Sequence, residues 1–330
     1  MKKAAIVILN WNGWKNTLQC LKTIDQLSVV SYQLSVIVVD NGSTDNSVKF
    51  IKELINRKVN ELMGLRVNGL KNSLINNSLT RNRLTINLIE NKKNLGYAEG
   101  NNVGIKYALK QGADYVMLLN NDTLVDKYLV DQLVKVMEED KEIGILGPKI
   151  YFAHGFEFHK DRYKKEEEGK VIWYAGGEID WENVYCSHKG VDEVDKGQYE
   201  KQEETDFISG CCMMVRRKVF DKIGFLDKKY FLYLEDVDFC IRAERAKFKI
   251  IYTPKAHLWH KNAASSEKPG SKIHQYYQTR NRLYFGFRYA PLRSKLALFR
   301  ESMKFILKNN IKRKACLDFY LGRFGGKKIG

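Results

Sequence analysis

The sequence predicts an α/β fold: a mostly parallel central sheet with helices on both faces. Three observations carry this reading. Short apolar runs alternate with segments of helical period through the first 140 residues. Those runs are continuously apolar, as strands buried on both faces are, and lack the polar alternation of a half-exposed sheet. Each run ends on a cluster of Asn, Asp and Gly, at the strand end where open α/β sheets bind their ligands.

The first strand is AAIVIL (4–9), and NGWKNTLQCLKTI (12–24) follows as a helix with Leu18, Leu21 and Ile24 inward. LSVIVVD (34–40) is the second strand. NGSTDNSVKFIKELI is then a turn and a helix, with Ser43 and Thr44 as N-caps. LTINLIE (84–90) is the third strand, and YAEGNNVGIKYALKQG (97–112) a helix closed by Gly112. DYVMLLN (114–120) is the fourth strand and DKYLVDQLVKVMEED (126–140) the fourth helix. Residues 56–83, rich in Asn and basic residues with Glu61 the only acid, break this rhythm. They read as an insertion, either a surface excursion or an acceptor-binding element. Residues 153–205 are mixed and charged, with HKDRYKKEEEGK expected as an exposed loop. DFISGCCMMVRRKVFDKIGFLD (206–227) returns to buried character before a helix start.

With 330 residues, 44% of them hydrophobic, the chain can bury a sizeable core. Its 12% aromatic content and 4 prolines argue against disorder. No stretch reaches the roughly 18–20 continuous apolar residues of a membrane span. The N-terminal apolar run is interrupted by Asn10, Trp11 and Asn12, so it reads as a strand and not as a signal peptide. The 6 cysteines contain no CxxC pair, which argues against a zinc or disulfide framework and fits a reducing cytosol.

The polar clusters carry the chemistry. Asp40 closes a buried strand, where it either accepts the imide N–H of uracil or thymine or caps the DNGSTD turn. Asn10 and Asn12 either contact a base or ribose or form a polar turn. NLGYAEGNNVGI places three glycines at a helix start, where loops often cradle phosphate. Gly100 and Gly104 fit tight helix packing equally well. In LLNNDT (118–123), Asp122 is the single carboxylate at the fourth strand end. A divalent cation would use it as an oxygen ligand, whereas an Asx turn would need no ion. LYLEDVDFCIR sets Glu235, Asp236 and Asp238 within four residues, and Asp238 with Arg242 reads as an i, i+4 structural pair. HLWH puts His257 and His260 at i and i+3, which without further ligands is not a zinc motif.

Eight segments now stand in order: VILNWNG (7–13), VVDNGSTDNS (38–47), NKKNLGYAEGNNVGI (91–105), LLNNDT, ISGCCMMVRR (208–217), YFLYLEDVDFCIR (230–242), HLWHKNAASS (257–266) and YYQTRNRL (276–283). Together they resemble the family 2 glycosyltransferases of GT-A fold, and within them the rhamnosyltransferase-like branch, over residues 4 to about 283. The resemblance implies a catalytic domain at 1–283 and an extension at 284–330. It implies that Asp40 reads the base of a UDP- or dTDP-sugar, with Asn10, Asn12, Gly96 and Asn102 lining the nucleotide side. Many relatives carry an arginine where this chain has Asn101, a departure that leaves the diphosphate more dependent on a metal. Asn120–Asn121–Asp122 stands for the family's DxD element, with Asp122 on a divalent metal (Mn2+ or Mg2+) and Asn120 on the ribose or a ligating water. Asp236 is implied as the catalytic base of an inverting transfer, with Glu235 on the donor beside it. His260 is implied near the metal, Lys261 and Ser265 near phosphate, and His257 as structural. Arg280 and Asn281 recur in this branch without an assignable role.

The net charge is +17, and residues 283–330 hold twelve Lys or Arg against Glu301 and Asp318. Leu292, Leu296, Phe299, Met303 and Ile306 form one helical stripe there, and Arg300, Lys304, Lys308 and Lys312 a basic one beside it. This is the pattern of an interfacial membrane helix; packing on the catalytic domain is the alternative. The expectation is a cytoplasmic enzyme, peripheral on the inner face of the cell membrane, with a surface-polysaccharide or lipid-linked glycan acceptor. Two rivals are weaker. A sugar nucleotidyltransferase would need a Gly/Arg-rich loop after the first strand, and LNWNGWKN is not one. A non-catalytic nucleic-acid-binding protein is prompted by charge alone, and that charge sits in the tail, away from the acidic cleft.

Overall fold

A computed structural model describes residues 1–29, 32–67, 84–261, 270–308 and 310–327. The four apolar runs form β1 (Lys2–Asn10), β2 (Tyr32–Asp40), β3 (Leu84–Glu90) and β4 (Tyr115–Asn120). β1 lies between β2 and β4, and β3 lies beyond β2, all parallel. The intervening helices are α1 (Trp14–Ile24), α2 (Ser47–Val67), α3 (Gly96–Lys110) and α4 (Leu129–Glu139). β1 is buried from Ala4 to Val7 and β4 from Tyr115 to Leu119, as continuous apolar strands covered on both faces must be. Two glycines let α3 approach β1: a Cβ on Gly104 would lie 2.4 Å from Val7 Cγ1, and one on Gly100 2.6 Å from Leu9 Cδ1. Helix packing is thus the visible use of these two glycines.

Beyond β4 the sheet becomes mixed. β5 (Thr123–Val125), β6 (Ile143–Phe152), β7 (Ile172–Tyr174), β8 (Gly177–Asp180), β9 (Tyr185–His188), β10 (Glu203–Glu204), β11 (Cys212–Arg216) and β12 (Lys249–His260) complete the strands. The main sheet has the order β10-β12-β6-β11-β4-β1-β2-β3, and β8 with β9 forms a separate hairpin. β11 runs antiparallel between β4 and β6, and β12 runs parallel to β6. The remaining helices are α5 (Arg217–Ile223), α6 (Glu235–Arg245), α7 (Lys272–Tyr289), α8 (Leu292–Ile306) and α9 (Ile311–Tyr320). The architecture is the expected α/β one.

Several details differ from the sequence reading. α2 continues to Val67, so the first part of the expected insertion at 56–83 is helical; residues 68–83 lie outside the described residues. Ser43 and Thr44 do not cap α2: the Ser43 hydroxyl donates to Asp40 and the Thr44 N–H to Asn12, while Asp45 Oδ1 accepts from Ser47 N at 2.9 Å. The expected boundary between 283 and 284 falls inside α7. α8 packs back on that helix, where a Cβ on Gly286 would meet Leu298 Cδ1 at 2.2 Å. Phe285 and Leu298 belong to the same apolar core as the sheet. All 6 cysteines are free thiols. Among the described residues no helix is long and apolar enough to cross a membrane.

Candidate active site

The polar end of β4 is built by pairing on both sides. Asn120 donates its backbone N–H to the Cys211 carbonyl at 2.9 Å, and its own carbonyl accepts from the Thr123 hydroxyl at 2.7 Å. β5 then pairs antiparallel with the end of β12, setting Thr123 opposite His260. That register brings the buried Asp122 to His260, with Oδ1 3.1 Å from Nε2, and Lys261 N donates to the Asp122 carbonyl at 2.9 Å. The Trp173 ring stands edge-on to His260, centroids 4.6 Å apart. His260 Nδ1 is buried without a hydrogen-bond partner among the described residues. His257, three residues earlier and so on the other side of the strand, faces Asp126 at 3.9 Å.

On the nucleotide side, Asn10 Nδ2 donates to Asp40 Oδ1 at 2.8 Å, and Ser43 binds both carboxylate oxygens, by Oγ at 2.6 Å and by N at 2.9 Å. Asn12, at φ 51°, ties the β1–α1 loop to the next loop by accepting from Thr44 N at 2.8 Å. A relay joins these loops to the end of β4. Asn121 Nδ2 donates to Thr17 Oγ1 at 3.0 Å, and that hydroxyl donates to Asn10 Oδ1 at 2.7 Å. Thr17 and Asn121 carry no sequence signal of their own beyond their place near polar clusters.

The Gly-rich segment is committed elsewhere. Gly96, at φ 81°, lies against Phe231, where a Cβ would meet the ring at 2.4 Å. The Phe231 carbonyl accepts from Tyr97 N at 2.6 Å and from Ala98 N at 3.4 Å, filling the start of α3 where a phosphate would otherwise sit. Asn102 exchanges hydrogen bonds with the backbone of Leu226 at 2.9 and 3.1 Å. Both residues thereby fix the chain that leads into α6.

The acids open α6. Asp236 accepts from Gly210 N at 2.8 Å and from Val237 N at 2.9 Å. Since Asn120 donates to Cys211, the turn 209–211 joins Asp236 to the loop bearing Asp122. Tyr97 Oη donates to the Gly210 carbonyl at 2.5 Å, and a side chain at 210 would collide with that oxygen. Burial pushes the Asp236 carboxyl above its ordinary range, against the two N–H groups that favour the anion. Glu235 is pushed well above its range, by burial first and by the charge of Asp236 second. Its Oε2 is buried without a hydrogen-bond partner among the described residues. Burial thus disfavours the anion at both carboxyls, and the charge of Asp236 adds to that effect at Glu235. Asp238 faces the other way, bound by Arg242 at 2.7 Å, Arg288 at 2.8 Å and Tyr289 at 2.7 Å. It anchors α7 as well as pairing within its own helix.

Among the described residues no group of three or more His, Cys, Asp or Glu could hold a metal. Asp122 and His260 alone form a donor pair of one carboxylate and one imidazole. That pair fits a divalent ion, to which it would offer one carboxylate oxygen and one imidazole nitrogen. Lys261 adds a cation that donates to Gln19, and burial lowers its pKa. Ser265 lies outside the described residues.

Residues 5–224 match the model of the family described as glycosyl transferase family 2. The low-salt glycan biosynthesis hexosyltransferase Agl10 of Haloferax volcanii is 26% identical over 60% of this chain and 59% of its own length. The N-acetylglucosaminyl-diphospho-decaprenol L-rhamnosyltransferase of Mycobacterium tuberculosis is 23% identical over 73% of this chain and 71% of its own. Rhamnosyltransferase WbbL of Escherichia coli is 22% identical over 68% and 82%. Two solved structures share the fold. The Pyrobaculum calidifontis mannosyltransferase with GDP-Man and Mn2+ aligns at TM-score 0.51 and 13% identity over 97% of this chain and 74% of its own. S. aureus TarS 1-349 with UDP-GlcNAc aligns at 0.53 and 13% over 97% and 72%. The family match covers most of the chain, and the chain belongs to glycosyl transferase family 2.

Proposed function

We propose that this protein is an inverting glycosyltransferase that moves a sugar, rhamnose in the first instance, from a dTDP- or UDP-sugar to an acceptor hydroxyl. The observation that carries this reading is the pair of acids at the start of α6, tied through Gly210 and Cys211 to the loop bearing Asp122. Asp40 is the base reader. Among the described residues its Oδ2 accepts one N–H, from Ser43, which leaves a lone pair there for the imide N–H of uracil or thymine. Asn10 and Asn12 hold the two loops that flank it, and Asn120 takes the ribose.

Asp122 and His260 would hold Mn2+ or Mg2+, which supplies neutralisation of the leaving diphosphate when bound. Mn2+ accompanies GDP-Man in the Pyrobaculum calidifontis neighbour. Lys261 adds a positive charge on the same side. As the acceptor oxygen bonds to the anomeric carbon, the bond from that carbon to the diphosphate oxygen breaks and its electron pair leaves with the nucleotide. Asp236 takes the acceptor proton. The protonated Glu235 donates a hydrogen bond to a donor-sugar oxygen, which gives its unpaired buried oxygen a role.

The acceptor is a growing surface polysaccharide or a lipid-linked glycan. The Mycobacterium tuberculosis relative is named for a sugar-diphospho-decaprenol acceptor, which supports the lipid-linked choice. Attachment to the cytoplasmic leaflet fits the tail, where Leu292, Leu296 and Phe299 are exposed beside Arg300 and Lys304. The test is release of nucleoside diphosphate from a panel of dTDP-, UDP- and GDP-sugars, with and without Mn2+ or Mg2+. Metal-dependent turnover of a dTDP- or UDP-sugar is expected; exclusive use of a GDP-sugar would remove Asp40 as the reader of an imide N–H.

A further inference from the structure

We propose that Arg280 and Asn281 are positioning residues for the reaction: with the Gly325 carbonyl they clamp the left-handed loop that delivers Glu235 and Asp236. The proposal rests on the reading of Asp236 as the base.

The loop has an uncommon backbone. Phe231, Tyr233 and Leu234 have φ of 66°, 72° and 69°, a region that side-chain-bearing residues rarely adopt. Such a run persists only where its surroundings over-determine it. Arg280 and Asn281 supply that determination from the middle of α7. Arg280 is fully buried, and it donates to the carbonyls of Lys229 at 3.1 Å, Tyr230 at 2.7 Å and Gly325 at 2.8 Å. Its Nε is held by Asn281 Oδ1 at 3.0 Å. Asn281 Nδ2 reaches the carbonyls of Tyr230, Leu232 and Tyr233 at 3.0, 2.7 and 2.9 Å.

Arg280 donates to an amide oxygen and three backbone carbonyls, with the Tyr276 hydroxyl beside it and the Asp318 carboxylate acting on it through space. A buried guanidinium held mainly by neutral oxygens is a costly way to stabilise a fold. It is a direct way to hold several carbonyls of one loop at fixed angles, because the planar fork presents its donors in set directions. The loop is held from the opposite side as well, where the Phe231 carbonyl caps α3. The C-terminal tail closes the clamp: Gly325 N donates to the Lys229 carbonyl at 3.2 Å and Lys327 N to Tyr277 Oη at 2.9 Å. Leu234, the last left-handed residue, directly precedes Glu235, so its backbone angles set the direction in which both acids enter the site.

Arg280→Lys keeps the buried charge and removes the fork. Truncation after Gly322 keeps the α7 sequence intact and removes the Gly325 carbonyl together with the Lys327–Tyr277 bond, so it serves if the lysine variant does not fold. We expect kcat to fall between about tenfold and 10²-fold, the scale of an ångström-sized misplacement, with donor KM little changed. Amide hydrogen exchange should rise at Phe231–Asp236 while β1 and β4 stay protected. Arg280→Lys should slow the Asp236→Asn variant by a smaller factor than it slows the wild type, because part of the clamp's effect passes through that carboxylate. Wild-type kcat with unchanged exchange in the loop would overturn the proposal, as would a multiplicative loss in the double variant. If Asp236→Asn alone transfers at the wild-type rate, the base lies elsewhere, and loop exchange in Arg280→Lys still decides the clamp.

Discussion

Glu235 and Asp236 are neighbours with the same side-chain chemistry and different surroundings. Asp236 receives two backbone N–H groups, whereas Glu235 is buried with one oxygen unpartnered among the described residues. The raised pKa of Glu235 gives a stability prediction whose sign is fixed by linkage. The folded chain binds this proton more tightly than the unfolded chain does. The contribution is therefore fully present below the ordinary glutamate value of 4.5 and is lost as pH rises toward the folded value. Glu235→Gln cannot ionise and escapes that loss. Chemical denaturation across a pH series should find the variant close to wild type in acid and increasingly the more stable of the two toward neutral pH. The opposite trend would mean that Glu235 is held as an anion. His260 and Asp122 make a related point: each was readable in the sequence as a candidate, but their contact depends on β12 pairing with β5. Nothing local in HLWH or LLNNDT specifies that pairing.

Much of the first half of the chain was legible element by element, because its strands are long, continuously apolar and closed by turn residues. Gly112, at φ 83°, ends α3 where the sequence put the stop. The region after Phe152 was much less legible. β7 to β10 have between two and four residues each, too few for a period to emerge, and their residues are partly exposed. α2 overran its expected end because a helix can continue through Asn, basic residues and even Gly64 when no proline interrupts it. The acid-bearing α6 was found from its residues alone. The left-handed loop in front of it was not, since YFLYL contains no glycine to announce positive φ. The role of Arg280 and Asn281 was hidden for the same reason: their partners are backbone carbonyls some fifty residues away, which side-chain patterns do not encode.

For the whole molecule, the C-terminal extension has two sides. Its inner side joins the core through Leu298 and anchors to Asp238 through Arg288 and Tyr289. Its outer side inverts the usual helix: Ser294 and Ser302 are buried, whereas Leu292 is 73% exposed, Leu296 50% and Phe299 45%. Met303 and Ile306, expected in the same stripe, are half-buried. The exposed Arg293, Arg300, Lys304 and Lys308 lie nearby, and it is on this face that the proposed contact with an anionic lipid surface would form. Replacing Leu292, Leu296 and Phe299 together by serine should weaken sedimentation with anionic vesicles at low salt by more than about tenfold, because each side chain would otherwise bury roughly 1.5–3 kcal/mol of apolar surface. Turnover of donor in solution should not change. Equal sedimentation of the two proteins would make the stripe a plain solvent face. Point substitutions suit this test better than truncation, which would also remove Gly325 from the loop beside Asp236.

In the proposed reaction Asp236 takes the acceptor proton while other residues hold the donor. The direct measurement pairs donor affinity with kcat for Asp236→Asn, as a function of pH. Asparagine preserves the shape of the side chain and one hydrogen-bonding oxygen but cannot accept the proton. Asp236→Asn should bind donor nearly normally, with kcat lower by about 10²–10⁴-fold. The variant should also lose the limb along which wild-type kcat rises with pH as Asp236 ionises, above its ordinary value of 3.8. Transfer at the wild-type rate with that limb intact would contradict the assignment and move the base to another residue. Lost donor binding would contradict it as well, by placing Asp236 on the donor.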